Sequence, residues 1–160
     1  NIMDTLDKNR EQRHKDTVHV LQQILEKNYD AEKGYKKSLQ DAKNPALKGF
    51  LQQQAAMRAR FVTSNDQQLR QLGATPKESG SVTGTLHRAW IDIKSSLAGN
   101  DDEAVLEEVI RGEKASVDEY TEELKSHNLL PEVTQELQSQ LNDIQATLNK
   151  VKRLEDISSY

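Results

Sequence analysis

Hydrophobic residues in this chain recur every three or four positions, the period of one helix face, in four long stretches and one short one. From roughly Asp16 to Ala42, Val18, Leu21, Leu25, Tyr35 and Leu39 share a face. Asn44-Pro45 ends that stretch and starts the next. An Asn side chain caps a helix, and Pro fits the first turn, where its missing N–H costs nothing. The second stretch carries Leu47, Phe50, Leu51, Met57, Phe61, Leu69 and Leu72 and stops at Gly73, a residue suited to closing a helix. "GATPKESGSVTG" then reads as loop. A short amphipathic helix follows, with Leu86, Trp90, Ile93 and Leu97 at spacings of four, three and four. Asp101 or Asp102 caps a third long helix running to about His127, and its acidic first turn suits the helix dipole. Leu130-Pro131 opens a fourth, whose apolar seam passes through Val133, Leu137, Leu141, Ile144, Leu148, Val151 and Leu154.

The connections restrict the topology. Only a few residues join the first helix to the second and the third to the fourth, so each pair is an antiparallel hairpin. Between the hairpins, Gly73 to Asn100 is long enough to return along a bundle of about 40 Å at 1.5 Å per residue. The expected fold is therefore all-α: two helix hairpins joined by a long crossover containing a short helix. One domain is expected over residues 16–157, with a polar N-terminal segment at 1–15 and a tail at 158–160; Asn1 and Ile2, ahead of Met3, read as an appended pair.

Composition agrees with helices that bury only a stripe: 34% of residues are hydrophobic, 4% aromatic, and there are 7 Gly and 3 Pro, too few turn residues for a sandwich or barrel. The absence of cysteine rules out disulfides and thiolate metal sites. The first twenty residues are too polar for a signal peptide and no apolar run approaches a membrane span, so a soluble, cytoplasmic protein with no membrane partner is expected. A net charge of −4 argues against nucleic acid as a partner. The charge is uneven: residues 1–80 hold 14 Lys+Arg against 10 Asp+Glu, and residues 81–160 hold 8 against 16. Oppositely biased faces meeting within one fold account for this simply, and an acidic surface that recruits a cationic partner is the sharper alternative.

The segments "YDAEKGY", "GSVTGTLHRAWIDIKSSL", "VIRGEKASVDEY" and "LLPEVTQELQSQL" carry a resemblance to ferritin-like four-helix bundles. More narrowly, the chain resembles a bacterial domain-of-unknown-function family within that superfamily. The resemblance implies a fold and leaves the activity open.

One feature of the third helix resists a purely apolar core. Its buried line, Leu106, Val109, Val117, Tyr120 and Leu124, passes through Glu113. Glu32 holds a similar mid-helix position in the first helix, between Asn28 and Tyr35. Ferritin-like di-iron centres take a Glu from each of two helices and a Glu-x-x-His from each of the other two. Glu32 and Glu113 are counterparts of the first two. The second helix instead has Gln54 followed by Met57, and none of His14, His19, His87 and His127 lies on the second or the fourth helix. A standard di-iron site is not expected. Three arrangements remain for the carboxylates. One is a buried polar layer of Asn28, Glu32, Tyr35, Gln54, Arg58, Glu113 and Tyr120, with Arg58 supplying the positive charge. The second is partial exposure at the seam. The third is a residual site for a single divalent cation such as iron or manganese. Gly34 and Gly112 each weaken their helix by about 1 kcal/mol relative to Ala, which points to a close approach there. No nucleophile constellation or phosphate-binding glycine loop is present, so the expectation is a non-enzymatic structural or protein-interaction bundle without cofactor, self-associating or partnered, and stress-linked by family analogy. A metal-binding oxidase or storage protein is the alternative.

Overall fold

Four long helices form two hairpins in the computed structural model, which describes residues 1–77 and 101–159. Helix α1 covers Ile2–Asp41, α2 Pro45–Gln71, α3 Asp102–Ser126 and α4 Pro131–Lys150, and a 3-10 turn, Leu154–Ser159, follows. The expected crossover helix, with His87, Leu86, Trp90, Ile93 and Leu97, lies outside the described residues.

The caps match their residues. The Asn44 side chain accepts from the backbone N–H groups of Ala46 and Leu47, and Pro45 takes the first turn of α2. Asp101 caps α3 by accepting from the Glu103 N–H. Gly73, at φ +80°, takes the left-handed turn that ends α2.

Contacts along the helices give their directions. The Asp102 carboxylate accepts from the N–H groups of Lys43 (2.8 Å) and Asn44 (2.9 Å), so the start of α3 is clamped to the α1–α2 turn. At the opposite end, which we call the base, the Leu130 N–H donates to Thr17 Oγ1 at 3.1 Å. Helices α1 and α3 are therefore antiparallel. Thr147 meets Gln54 and Gln140 meets Asn65, so α2 and α4 are antiparallel too. It follows that α2 and α3 run parallel, as an up-down-up-down bundle would not. Lys77 sits at the base, bonded to Gln22, while Asp102 sits at the top.

The core is two apolar clusters stacked along the bundle. The upper one gathers Leu47, Phe50, Leu51, Val105, Leu106 and Val109, and is closed by Val151 and Ile157. The lower one gathers Leu21, Ile24, Phe61, Leu69, Leu137 and Ile144. Among the described residues, no helix is long and apolar enough to cross a membrane.

Both termini differ from expectation. Residues 1–15, set apart as a polar segment, are helical from Ile2 and continuous with α1, with Asn1 as cap. They contain no Gly or Pro and project about 22 Å past the base at 1.5 Å per residue, with Ile2, Met3 and Leu6 exposed. At the other end, α4 stops at Lys150 rather than continuing through Leu154. Asp156 accepts from the N–H groups of Lys152 and Arg153, which turns the chain so that Ile157 covers the upper cluster. The 3-10 turn also absorbs residues 158 and 159, assigned above to a tail.

The Asp102 clamp is testable. Asp102→Ala leaves two backbone donors without their acceptor and is expected to lower stability by about 1–2 kcal/mol. A urea midpoint that does not move, at unchanged slope, would show that the clamp contributes nothing.

Candidate functional site

Between the two apolar clusters lies a band of buried polar side chains to which every helix contributes. Each offers a pair seven residues apart, and therefore on one face two turns apart: Asn28 and Tyr35 on α1, Arg58 and Asn65 on α2, Glu113 and Tyr120 on α3, Gln140 and Thr147 on α4. All eight are buried.

Arg58 is at the centre, 0% exposed. One of its terminal nitrogens donates to Glu113 Oε1 (2.8 Å) and Ser116 Oγ (3.0 Å), and the other to Asn28 Oδ1 (2.8 Å). Glu113, 1% exposed, receives a second bond on the same oxygen from the Tyr35 hydroxyl at 2.5 Å. Beyond Asn28 the bonds continue outward. Its amide donates to Asn65 Oδ1 (2.9 Å) and to the Tyr120 hydroxyl (2.8 Å). Tyr120 donates to Gln140 Oε1 (2.7 Å), and Gln140 donates to Glu136 (3.1 Å) at the rim. Every donor in this line points away from Arg58 and toward the Glu136 carboxylate, so each bond polarises the next.

The electrostatics follow from that placement. Burial acts to lower the Arg58 pKa, but Glu113, with Tyr120 and Tyr35, more than offsets it, and the net shift is upward. Arg58 is a fixed charge. Burial pushes the Tyr120 phenol well above the usual value of about 10, against the opposing pull of Arg58 and the Asn28 hydrogen bond. Lys27 forms a separate ion pair with Glu119, and burial lowers its pKa while Glu123 and Glu26 act to raise it.

The candidate residues divide. Asn28, Tyr35, Arg58, Glu113 and Tyr120 come together in one network. Gln54 is buried but stands nearer the top, bonded to Thr147 at 3.4 Å. Glu32 is the correction: it is half-buried and pairs with Lys36 of its own helix at 2.8 Å. At 100° per residue it stands about 40° round α1 from Asn28, enough to move it from the core to the edge. Glu32 and Glu113 therefore do not form a carboxylate pair. Ser116, Asn65, Gln140 and Thr147 were not anticipated, although the seven-residue spacing of polar positions on apolar faces marks three of them. Gly34 and Gly112 are both buried beside the band. His14, His19 and His127 gather at the base, the last two with ring centroids 6.4 Å apart.

This arrangement does not fit a di-iron centre. Among the described residues, the Arg58 guanidinium lies against the Glu113 carboxylate, and the imidazoles of His14, His19 and His127 gather at the base. Among the described residues, no group of three or more His, Cys, Asp or Glu is placed to hold a metal ion. Nor does the site suit acid–base work: the Glu113 oxygen that makes bonds is held by Arg58 and Tyr35, away from solvent. Two polar atoms, Arg58 Nε and Glu113 Oε2, have no hydrogen-bond partner among the described residues, which is the usual setting for a buried water.

Two predictions follow from the geometry. Glu113→Gln leaves the buried guanidinium without its counter-charge and is expected to cost about 3–5 kcal/mol. The double variant Arg58→Met with Glu113→Leu removes both charges and is expected to recover most of that loss. Denaturant titration of both proteins measures it, and a double variant as unstable as the single one would mean that the charge is not the cause. The second concerns alkali. The folded state holds the Tyr120 phenol neutral, whereas in the unfolded chain it ionises near pH 10. This contribution to stability is intact below about pH 10 and is lost as pH rises toward the folded-state pKa. The Tyr120 phenolate absorbance near 295 nm is expected to appear only with unfolding, and Tyr120→Phe is expected to flatten the alkaline fall in stability.

In comparison with known proteins, residues 16–126 match the family profile of a domain of unknown function, DUF2383. No curated protein and no solved structure matches the chain.

Proposed function

The chain belongs to the DUF2383 family, matched from the core-facing part of α1 to the end of α3, and from that premise we propose that it is a non-enzymatic ferritin-like bundle with a structural or protein-interaction role. Parallel α2 and α3 between two hairpins support the ferritin-like topology. Arg58 carries the functional reading. Where a di-iron protein of this topology would place its metal, this chain places a permanent cation, fully buried and paired with Glu113. A divalent ion about 4 Å from that guanidinium would be repelled by about 8 kcal/mol at an effective dielectric constant near 20. The bundle centre serves as a charged lock on helix register rather than as a reaction centre. The role in stress responses rests on analogy with other ferritin-like proteins, and the cytoplasm is the proposed location. Ile2, Met3 and Leu6 on the projecting end of α1 supply an apolar patch for a second copy or another protein.

The alternative, a metal-binding protein with a degenerate carboxylate site, draws on one observation: Glu113 Oε2 has a lone pair that nothing described here uses. Thermal melts with Fe²⁺, Mn²⁺ and Zn²⁺, together with elemental analysis of protein prepared without chelator, separate the two readings. A ligand bound only by the folded state raises its melting temperature. The expected result is no rise and no stoichiometric metal. A rise abolished by Glu113→Gln would overturn the structural reading.

A further inference from the structure

A cleft at the base of the bundle lies apart from the polar band. One wall is the stripe of α1 from His14 to Gln22, and the other is the chain leaving α2, Leu72 to Lys77. Its volume is about 460 Å³, within the range of roughly 300–1,000 Å³ common for small-molecule sites.

The chemistry of the lining is one-sided. Val18, Leu72 and Ala74 supply apolar surface, while His14, Lys15, His19 and Lys77 supply imidazole and ammonium groups, and among the described residues no acidic side chain lines the cleft. Some exposed cations of this protein are held by a neighbouring carboxylate, as Lys36 is by Glu32, Arg70 by Asp66 and Arg111 by Glu108. Among the described residues, none of the four groups lining the cleft makes an ion pair.

The walls are also held in place. Gln22 grips the backbone of Lys77 twice, donating to its carbonyl at 3.0 Å and accepting from its N–H at 3.1 Å. Gly73, in its left-handed conformation, lets the chain turn so that Ala74 N–H reaches the Leu69 carbonyl at 3.0 Å. The negative end of the α2 dipole points toward this region and would disfavour an anion. That effect is blunted because the carbonyls of Gln68, Leu69 and Arg70 are already taken by the N–H groups of Leu72, Gly73 and Ala74.

We propose that this cleft binds a small organic anion with an apolar body, of the aryl or alkyl phosphate or carboxylate class. Lys15 and Lys77, with His14 and His19, take the anionic head, and Val18, Leu72 and Ala74 take the hydrocarbon. The lysines are exposed, so each contributes modestly and the contribution is sensitive to salt. The expected affinity for a simple probe is in the millimolar range.

The test is a ¹⁵N–¹H NMR titration of the full chain with three probes: phenyl phosphate, inorganic phosphate and benzyl alcohol. Phenyl phosphate is expected to shift the amides of residues 14–22 and 72–77 saturably, and to bind at least fivefold more tightly than either half-probe. The variant carrying Lys15→Gln and Lys77→Gln, both at exposed positions, is expected to lose at least fivefold in affinity with its spectrum otherwise unchanged. Benzyl alcohol binding as well as phenyl phosphate would remove the cations from the proposal, and phosphate binding as well would remove the apolar floor. Shifts that never saturate, or that fall outside the two walls, would overturn the site itself.

Discussion

A guanidinium shut away from water must be answered by everything around it, and Arg58 imposes that demand on the whole bundle. An unpaired buried charge costs several kcal/mol, so a fold with Arg58 inside must bring Glu113, Asn28 and Ser116 to it. Those three come from α1 and α3, while Arg58 belongs to α2. Asn28 then passes the demand on through Tyr120 to Gln140 of α4. A slip of any helix by one turn, about 5.4 Å, would separate donors from acceptors in a place water cannot reach. Apolar layers alone tolerate such slips better, because one leucine replaces another without a directional requirement.

The placement of this band explains why the core is divided. Upper and lower clusters are each apolar and well buried, but neither specifies the vertical alignment of four helices. The polar band between them does, and the Asp102 clamp at the top repeats the same restriction at a helix end. Buried ion pairs are weak contributors to net stability and are better attested as devices of specificity. Arg58 and Glu113 belong to that second category, since replacing the charges with hydrocarbon would remove the requirement that aligns the helices.

The base of the molecule has a different character. Here α1 outruns its partners, the histidines collect, and the chain leaving α2 is tied back by Gln22. Nothing in this region is needed to answer Arg58. Unpaired cations can remain there because the lysines keep their solvation, whereas the same groups in the polar band would each require a partner. The two regions differ in what sets them: internal electrostatics in the polar band, solvent exposure at the base.

Much of the fold was legible in the sequence because it rests on local rules. Asn44-Pro45, Gly73 and Asp101 mark helix ends through the chemistry of their own side chains and backbones. Loops of a few residues allow only hairpins, and the length of the segment after Gly73 anticipated parallel α2 and α3. Glu113 announced itself by interrupting an apolar line, and Arg58 was the nearest cation able to answer it. The fate of Glu32 was not legible. A step of 100° per residue defines the centre of a helix face sharply and its edges poorly, and Glu32 lies on an edge, where Lys36 and the neighbouring helices decide between core and rim. The partners beyond Asn28 were hidden for a related reason. Asn65, Ser116 and Gln140 are ordinary polar residues in their own helices, and only the heights at which four separate helices meet make them one network. The sequence by itself determined where helices begin, end and turn, because neighbouring residues settle those matters. Tertiary structure decided which polar groups meet, because that depends on distances between residues as many as 113 positions apart.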